Sequence, residues 1–379
     1  MHNQQRCLGV WRRGYQMKIN QVMPKLGAEE LRNLEISIEN AWLTEGAFTE
    51  SFLSEVKKLT GAKYALPVNN GTLGLYLSLL SLKLEKGAEV LVPSFTFFGS
   101  VSSIYFAGLK PVFVDVDRDN YMSTVQNYKA ALTDKTRAIM PVHIYGMAAD
   151  MDQIISFAKE NNLKVIEDAA QGMGVHFKGN YCGTFGDIGV ISFYADKTIT
   201  MGEGGVVLTN SKHVFEKAKL IRNQGRPNSG TFIHPEFGMN FRITDMQAGI
   251  GLAQISRLAE IEKSRIERFQ LYAQGLSCIE DIRPIRVPVN GNFIPFRFAF
   301  TSSYKNKIEM KLNENGIQTR SFFYPMHIQP AVVKYLDTQK PQPVSEKLYE
   351  TGLCLPVHHE ISADDILKIC TIIKEAYKK

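Results

Sequence analysis

Short apolar runs alternate with helical patterns along most of this chain, from about residue 60 onward. The apolar runs are rich in Val and Ile, and Gly, Pro, Asn or Asp bound them; they lie at residues 89–95, 110–117, 137–146, 163–170, 187–195 and 204–210. Helical periodicity separates several of them, as at residues 72–82 and 151–162. This alternation predicts an α/β fold with one mostly parallel sheet sandwiched by helices. Ligands of such sheets bind at the carboxyl ends of the strands.

The pattern changes after residue 250. Residues 244–280 read as one long helical stretch, and a strand-like run at 296–302 and two further helical patterns follow it. We therefore expect a large domain at residues 19–250 and a smaller C-terminal α+β domain at residues 251–379. The first 18 residues carry four basic side chains and no acidic one, and we expect them to form a disordered leader.

The formal charge of +6 comes largely from that leader. Without it, 40 basic residues face 38 acidic ones, which gives little support for nucleic acid as a partner. No apolar stretch reaches the length of a membrane span. The five cysteines are scattered, without a C-x-x-C pair or a cluster at metal-ligand spacing. We therefore expect a cytoplasmic protein with free thiols and no metal, which binds neither nucleic acid nor membrane.

Lys197 follows the apolar run ISFYA and precedes the glycine-rich turn GEGG. At the surface it would be an ordinary solvated lysine, whereas partly desolvated at a strand end it would be a nucleophile. Asp168 ends the run KVIED, 29 residues earlier. It is either a helix cap or a carboxylate that keeps a ring nitrogen protonated.

Gly71 and Thr72 begin a helical pattern after two asparagines. Exposed N–H groups and a hydroxyl there suit a phosphate, although an ordinary turn and cap has the same pattern. Ser192 adds a hydroxyl five residues before Lys197. Phe95, Phe97 and Phe98 lie at a strand end, where an aromatic ring either packs in the core or stacks on a planar ligand. The chain has no G-x-x-x-x-G-K-[ST] loop, and no complete G-x-G-x-x-G follows a strand, which disfavours a nucleoside triphosphate site and a nicotinamide-binding oxidoreductase.

Together these residues supply a phosphate seat, an aromatic ring, a carboxylate for a ring nitrogen and an amine for an aldehyde. Those are the groups needed to hold pyridoxal 5′-phosphate as a Schiff base on Lys197.

Several motifs resemble those of the DegT/DnrJ/EryC1/StrS sugar-nucleotide aminotransferases, pyridoxal phosphate enzymes of fold type I. They include NNGT, VPSFTF, PVHIYG, EDAAQ, GDIGVISFYADK, GEGG, GMNFRITDMQAG and YPMH, and the match extends from about Trp42 to the C-terminus. The resemblance implies these cofactor contacts: Lys197 as the Schiff-base lysine, Asp168 on the pyridine nitrogen, Gln171 near the ring hydroxyl, Gly71, Thr72 and Ser192 on the phosphate, Phe97 stacked on the ring, and Asn240 on the phosphate of the neighbouring subunit. The Asn240 contact implies a homodimer with shared active sites.

The resemblance also implies the substrates, which are L-glutamate and a nucleotide-diphosphate keto sugar. A dehydratase subclass has histidine at the lysine position, so Lys197 indicates transamination. The stretch KTITMGEGG resembles enzymes that act at a sugar 4-ketone, and TRSFFYPMH resembles GDP-perosamine synthases, which act on GDP-4-keto-6-deoxymannose. UDP- or dTDP-linked sugars are the alternative substrates, and a catalytically silent regulatory protein is the alternative class. The candidate sugar or diphosphate contacts are Arg320, Tyr324, His327 and His143.

The chain departs from the family pattern in two places. Ala195 and Asp196 stand where Gly-Asn is commoner, and Met147 stands where a polar residue is frequent. Both departures are expected near the sugar pocket.

Overall fold

The computed structural model describes residues 19–228, 230, 232–336 and 340–378. The predicted leader, residues 1–18, lies outside the described residues. The helices of the described chain are α1 (Ala28–Glu39), α2 (Ala47–Thr60), α3 (Gly71–Ser81), α4 (Phe98–Phe106), α5 (Val125–Ala131), α6 (Met151–Glu160), α7 (Lys212–Arg222), α8 (Asp245–Ser256), α9 (Leu258–Leu276), α10 (Lys305–Glu314), α11 (Pro330–Tyr335), α12 (Pro343–Thr351) and α13 (Ala363–Ala376), with a short 3-10 turn at Met326–Ile328. None of them combines the length and the hydropathy that crossing a bilayer requires.

Strands follow the apolar runs of the sequence. They are β1 (Tyr64–Val68), β2 (Glu89–Pro93), β3 (Lys110–Val114), β4 (Thr136–Ile139), β5 (Lys164–Asp168), β6 (His176–Phe177), β7 (Asn180–Tyr181), β8 (Ile188–Ser192), β9 (Gly205–Thr209), β10 (Arg283–Pro284), β11 (Phe298–Thr301), β12 (Arg320–Ser321) and β13 (Gly352–Leu355). Seven of these strands form the main sheet, in the order β1-β9-β8-β5-β4-β2-β3. The run from β8 to β3 is parallel, and β9 alone runs in the opposite direction, because it pairs antiparallel with both β8 and β1. The predicted α/β fold with a mostly parallel sheet is confirmed.

Helices cover both faces of the main sheet, so its strands are buried on both sides. Successive residues of one strand therefore enter different cores. In β2, Val90 and Val92 pack with the side chains of α3 and α4, whereas Leu91 joins the core that contains residues of α5 and α6. The same alternation separates Val190 from Ile191 in β8. This double coverage explains why the strands read as continuous apolar runs.

A second sheet lies in the C-terminal part of the chain, in the order β10-β11-β13-β12, with antiparallel pairing throughout. Its core includes Phe298 and Phe300 of β11 and apolar residues of α9, α10 and α13. The single long helix expected at residues 244–280 is instead two helices, because the backbone of Arg257 leaves helical geometry with φ −108° and ψ 8°. The Arg257 guanidinium binds Glu30 and the Lys25 carbonyl, which holds it at the break.

The register of the parallel strands brings distant residues to one edge of the sheet. Asp168, the last residue of β5, pairs with Val190 of β8, so Ser192 lies two positions farther along the neighbouring strand. The His143 N–H donates to the Asp168 carbonyl at 3.0 Å, which extends pairing past the end of β4. This edge is where the predicted site residues converge.

Candidate active site

The first turn of α3 forms an anion cradle against the end of β8. Asn70 caps the helix, and its Oδ1 accepts a 3.0 Å hydrogen bond from the Leu73 N–H. A Cβ placed on Gly71 would lie 3.0 Å from Cβ and 3.2 Å from Oγ of Ser192. The first turn of α3, whose N–H groups have no partner within the helix, therefore lies against the Ser192 side chain, and a side chain at position 71 would crowd the space between them.

Thr72 completes this cradle from the side of α4. A Cβ placed on Gly99 would lie 2.7 Å from Thr72 Oγ1, so the starts of α3 and α4 touch at this point.

Phe97 is the N-cap residue of α4, and 61% of it is exposed. The neighbouring Phe95 is buried among Tyr121, Tyr145 and Phe322. Of the two, Phe97 is therefore the ring available to a ligand, and Phe95 is a core residue.

Asp168 is buried at the end of β5, and two donors orient its carboxylate. Ser100 Oγ donates to Oδ2 at 2.6 Å, and the Ala170 N–H donates to Oδ1 at 3.1 Å. Thr96 Oγ1 lies 2.9 Å from Ser100 Oγ and continues the hydrogen-bond chain. A carboxylate offers about four lone pairs, so acceptor positions remain for a ligand nitrogen.

Sequence reasoning missed Ser100. The residue lies in the motif PSFTFFGS, three positions after Phe97 and one turn into α4. Its hydroxyl reaches a carboxylate 68 residues away in the chain, and no local spacing indicates that contact.

Gln171 lies three residues beyond Asp168 and is buried. Its Oε1 accepts a 2.7 Å hydrogen bond from the backbone N–H of Tyr145. Tyr145 has a φ of +51°, a conformation that residues other than glycine rarely adopt. Its ring stacks on Phe323 at a centroid distance of 5.7 Å. Gln171 therefore secures a strained turn that connects the sheet edge to the segment after β12.

Lys197 lies in the loop after β8, and 15% of its side chain is exposed. Its N–H donates to the Tyr194 carbonyl at 2.9 Å, and its amine lies 4.9 Å from the centroid of the Phe296 ring. Burial lowers the pKa of the amine, and Arg297 lowers it further, while Asp196 and Asp168 act in the opposite direction. A larger fraction of this amine is therefore neutral, and so nucleophilic, than of a solvated lysine amine.

Two histidines expected to contact the substrate are buried, and both ring nitrogens of each bind other parts of the chain. The Ala149 N–H donates to Nδ1 of His143 at 3.1 Å, so Nε2 carries the proton that faces Glu167 at 3.0 Å. Nδ1 of His327 lies 2.7 Å from Ser94 Oγ, and its Nε2 lies 3.0 Å from Glu346 Oε1. Each ring nitrogen therefore has a partner within the chain, and substrate contact by either histidine stays a prediction.

Glu167, the partner of His143 Nε2, is itself fixed by several hydrogen bonds. This carboxylate is fully buried beside Asp168 and accepts hydrogen bonds from the backbone N–H groups of Gly183, Phe185 and Gly186 at 2.7–2.8 Å. His143 therefore belongs to the framework that positions the end of β5. Met147, expected near the sugar pocket, is also fully buried.

The remaining predicted residues lie at accessible positions. Arg320 and Tyr324 are exposed; Arg320 Nη1 donates to Asp196 Oδ2 at 3.1 Å, and the Tyr324 ring packs edge-on against Tyr349. Asn240 is exposed, and its Oδ1 accepts from the Arg242 N–H at 3.1 Å. Gly71, Asp168 and Ser192 thus lie at one edge of the sheet, whereas Asn240 is exposed and pairs through its backbone with Asn223.

The arrangement fits pyridoxal phosphate. The cradle at Gly71 and Ser192 suits its phosphate, the free acceptor positions of Asp168 suit its pyridine nitrogen, and the desolvated amine of Lys197 suits its aldehyde.

Comparison with known proteins gives the same result. A model of the DegT/DnrJ/EryC1/StrS aminotransferase family matches residues 24–374. GDP-perosamine synthase from Escherichia coli O157:H7 is 33% identical over 356 residues, which cover 93% of this chain and 97% of that protein. The UDP-N-acetyl-3-dehydro-alpha-D-glucosamine 3-aminotransferase of Acidithiobacillus ferrooxidans is 34% identical over 322 residues, covering 85% of this chain and 86% of that protein.

Among solved structures, the aminotransferase TlmJ from Streptoalloteichus hindustanus superposes with a TM-score of 0.90 at 28% identity, covering 94% of this chain and 98% of that chain. The family match spans both sheets and every site residue described above. The chain is therefore a member of the DegT/DnrJ/EryC1/StrS aminotransferase family, a group of pyridoxal-phosphate-dependent enzymes that includes sugar-nucleotide aminotransferases.

Proposed function

We propose that this protein transfers the amino group of L-glutamate to the C4 ketone of a nucleotide-linked 4-keto-6-deoxy sugar. The observation that carries the chemistry is the desolvated amine of Lys197, which lies within electrostatic range of the Asp168 carboxylate. We further propose GDP-4-keto-6-deoxy-D-mannose as the substrate and GDP-perosamine as the product. That choice is supported by similarity to GDP-perosamine synthases from three bacteria, at 32–33% identity over nearly the whole chain.

When bound, pyridoxal phosphate supplies an aldehyde that condenses with amines and a pyridinium ring that accepts electron density. Lys197 acts as the base that removes the proton from Cα of glutamate, since burial and Arg297 favour its neutral form. Asp168 provides the anion for the ring nitrogen, and Ser100 holds that carboxylate in one orientation.

The cradle formed by Gly71, Thr72 and Ser192 binds the cofactor and orients it. The N–H groups of Gly71 and Thr72 and the Ser192 hydroxyl hold the phosphate, while Phe97 covers one face of the ring and Gln171 lies near the ring hydroxyl. Arg320 and Tyr324 are the accessible candidates for contact with the nucleotide diphosphate or the sugar. His143 and His327 support this site from within the chain.

We also propose that the protein acts as a homodimer in which Asn240 reaches the partner's phosphate cradle. The loop that leads to Asn240 exposes Phe232, Phe237 and Met239, with Phe237 96% exposed. An apolar loop of this kind is costly in water and suits an interface with a second copy.

A panel of nucleotide sugars tests the reaction. The purified protein is incubated with ¹⁵N-labelled glutamate and GDP-, UDP- or dTDP-linked 4-keto-6-deoxy sugars, and the products are measured by mass spectrometry. We expect the label in the GDP-linked product. Label only in a UDP- or dTDP-linked product would overturn the choice of nucleotide.

Borohydride treatment separates chemistry from substrate choice. We expect a reduced pyridoxyl adduct on Lys197 in the native protein, none in Lys197→Ala, and an unchanged adduct in the surface control Lys212→Ala. An adduct on Lys197 without amination of any sugar would favour the alternative of a regulatory protein. Absence of the adduct would contradict the role of Lys197.

A further inference from the structure

The carboxylate of Asp196 lies between the reactive lysine and two arginines from the C-terminal sheet region. Its Oδ2 accepts hydrogen bonds from Arg297 Nη2 at 2.8 Å and from Arg320 Nη1 at 3.1 Å. Its Oδ1 lies 3.5 Å from the Lys197 amine. Arg320 belongs to β12, and Arg297 immediately precedes β11. One anion from the loop after β8 thus contacts three cations, two of which belong to the second sheet region.

This cluster is largely withdrawn from water. Only 4% of the Arg297 side chain is exposed, and Asp196 and Lys197 are mostly buried, whereas Arg320 opens to solvent. Charges at such positions interact more strongly than they do at a surface. Burial therefore lowers the pKa of the Lys197 amine, and the neighbouring charges of Asp196 and Arg297 act on it as well.

The two oxygens of Asp196 are used differently. Oδ2 binds both guanidinium groups, whereas Oδ1 is buried and accepts no hydrogen bond from the described residues. At 3.5 Å, the Lys197 amine lies beyond the ordinary hydrogen-bond distance from Oδ1, so the contact is mainly electrostatic. The amine is therefore attracted to Asp196 and remains free to leave for another partner.

We propose that Asp196 is a positioning residue for Lys197, whose carboxylate is shared between the amine and the guanidinium groups of Arg297 and Arg320, so that the position of the second sheet region sets the charge of the amine. The inference rests on the proposed role of Lys197 as the cofactor lysine. It also gives a physical meaning to a departure from the family pattern, because an asparagine at position 196 would have no charge to share.

The other groups near Lys197 agree with this sharing. Asp168 at the end of β5 raises the pKa of the amine, as Asp196 does, while burial and Arg297 lower it. Arg265 of α9 donates to the Lys197 carbonyl at 3.4 Å. The same small cavity is also lined by Lys25, His358 and His359. When Arg297 and Arg320 lie against Asp196 they neutralise it and favour the neutral amine; when they move away, Asp196 favours the charged amine.

The test measures the Lys197 amine directly in the full chain freed of cofactor. Trace acetylation over a range of pH, followed by mass spectrometry of the Lys197 peptide, gives the midpoint of its titration. Asp196→Asn keeps the size of the side chain and removes the charge, so the midpoint should fall by about one pH unit. Arg320→Gln removes a cation that competes for Asp196, so the midpoint should rise. Asp152→Asn, which breaks an exposed ion pair with Lys178 elsewhere, should leave it unchanged.

The midpoint should move in opposite directions in Asp196→Asn and Arg320→Gln, which distinguishes a positioning role of Asp196 from a general loosening of the loop after β8. If Asp196 only stabilised the loop, both variants would expose Lys197 and raise its midpoint toward that of a solvated lysine. A raised or unchanged midpoint in Asp196→Asn would therefore overturn the proposal. Asp196→Glu restores the charge, so its titration midpoint should lie close to that of the native protein. No cofactor or sugar enters the measurement, so failure of the proposed function and failure of this inference are separate results.

Discussion

The Ser100 hydroxyl donates a 2.6 Å hydrogen bond to Oδ2 of Asp168 and thereby ties the first turn of α4 to the end of β5. The two residues are buried, and Thr96 Oγ1 extends the contact at 2.9 Å from Ser100. The same turn of α4 is capped by Phe97. The carboxylate for the ring nitrogen and the ring proposed to stack on the cofactor are therefore positioned by one short segment.

Ser100→Ala should weaken catalysis without unfolding the chain. A hydrogen bond to a charged group contributes about 1.5–3 kcal/mol, so kcat should fall about tenfold to a hundredfold. Steady-state amination assays measure the effect. Ser103→Ala is the matched control, because it removes a buried hydroxyl of the same helix that donates only to the Ser100 carbonyl. Equal losses in the two variants would show that Ser100 acts through helix stability.

Gly71→Ala should lower the affinity for pyridoxal phosphate while leaving the fold intact. The new methyl group would lie 3.0 Å from Ser192 Cβ and 3.2 Å from its Oγ, inside the cradle. We expect about tenfold weaker binding, which titration of cofactor absorbance measures. The melting temperature of the cofactor-free chain should change little, because Ser192 has to move by only a few tenths of an ångström to admit the methyl group. Unaltered cofactor binding would place the phosphate elsewhere.

Phe237→Asp should shift the protein from dimer to monomer. The side chain is 96% exposed in the single chain, and a charge there would be buried without a partner at the proposed interface. Analytical ultracentrifugation across a concentration series measures the change. Val289→Asp is the control, because Val289 is equally exposed and lies beside His176 and Lys178. A monomeric native protein, or a variant that dimerises as strongly, would contradict the shared-site proposal.

Glu262→Gln should change the pH dependence of stability. Burial raises the pKa of Glu262 to about 7, and its carboxylate lies against Gly174. The folded state therefore holds a proton that the unfolded state releases at lower pH, so this contribution to stability is lost as pH rises through the folded pKa. The glutamine variant should match the native protein near about pH 5 and melt higher near about pH 8.

Thermal melts at several pH values measure this difference. Glu309→Gln, a substitution of a carboxylate in α10, serves as the control. A constant offset between native and variant melting temperatures at every pH would show that Glu262 is already ionised in the folded protein.

Local pattern was sufficient to predict the sheet and the position of Lys197. Double burial makes each strand a continuous apolar run, and parallel strands direct their carboxyl ends to one edge, so Asp168, Ser192 and Lys197 could be expected together. The break at Arg257 was not predictable in this way, because contacts with Glu30 and Lys25, more than 200 residues earlier, hold it. The helical periodicity continues across that break.

The sequence by itself determined the α/β fold and the residue types proposed for the cofactor site, since each follows from short-range periodicity or from a motif. Only the tertiary structure decided which polar residues face inward. It gave the ring nitrogens of His143 and His327 partners within the chain, placed Ser100 against Asp168, and brought Arg297 and Arg320 to Asp196. The physical reason is that a buried polar side chain must find its hydrogen-bond partners wherever the fold brings them, and those partners are far away in the chain.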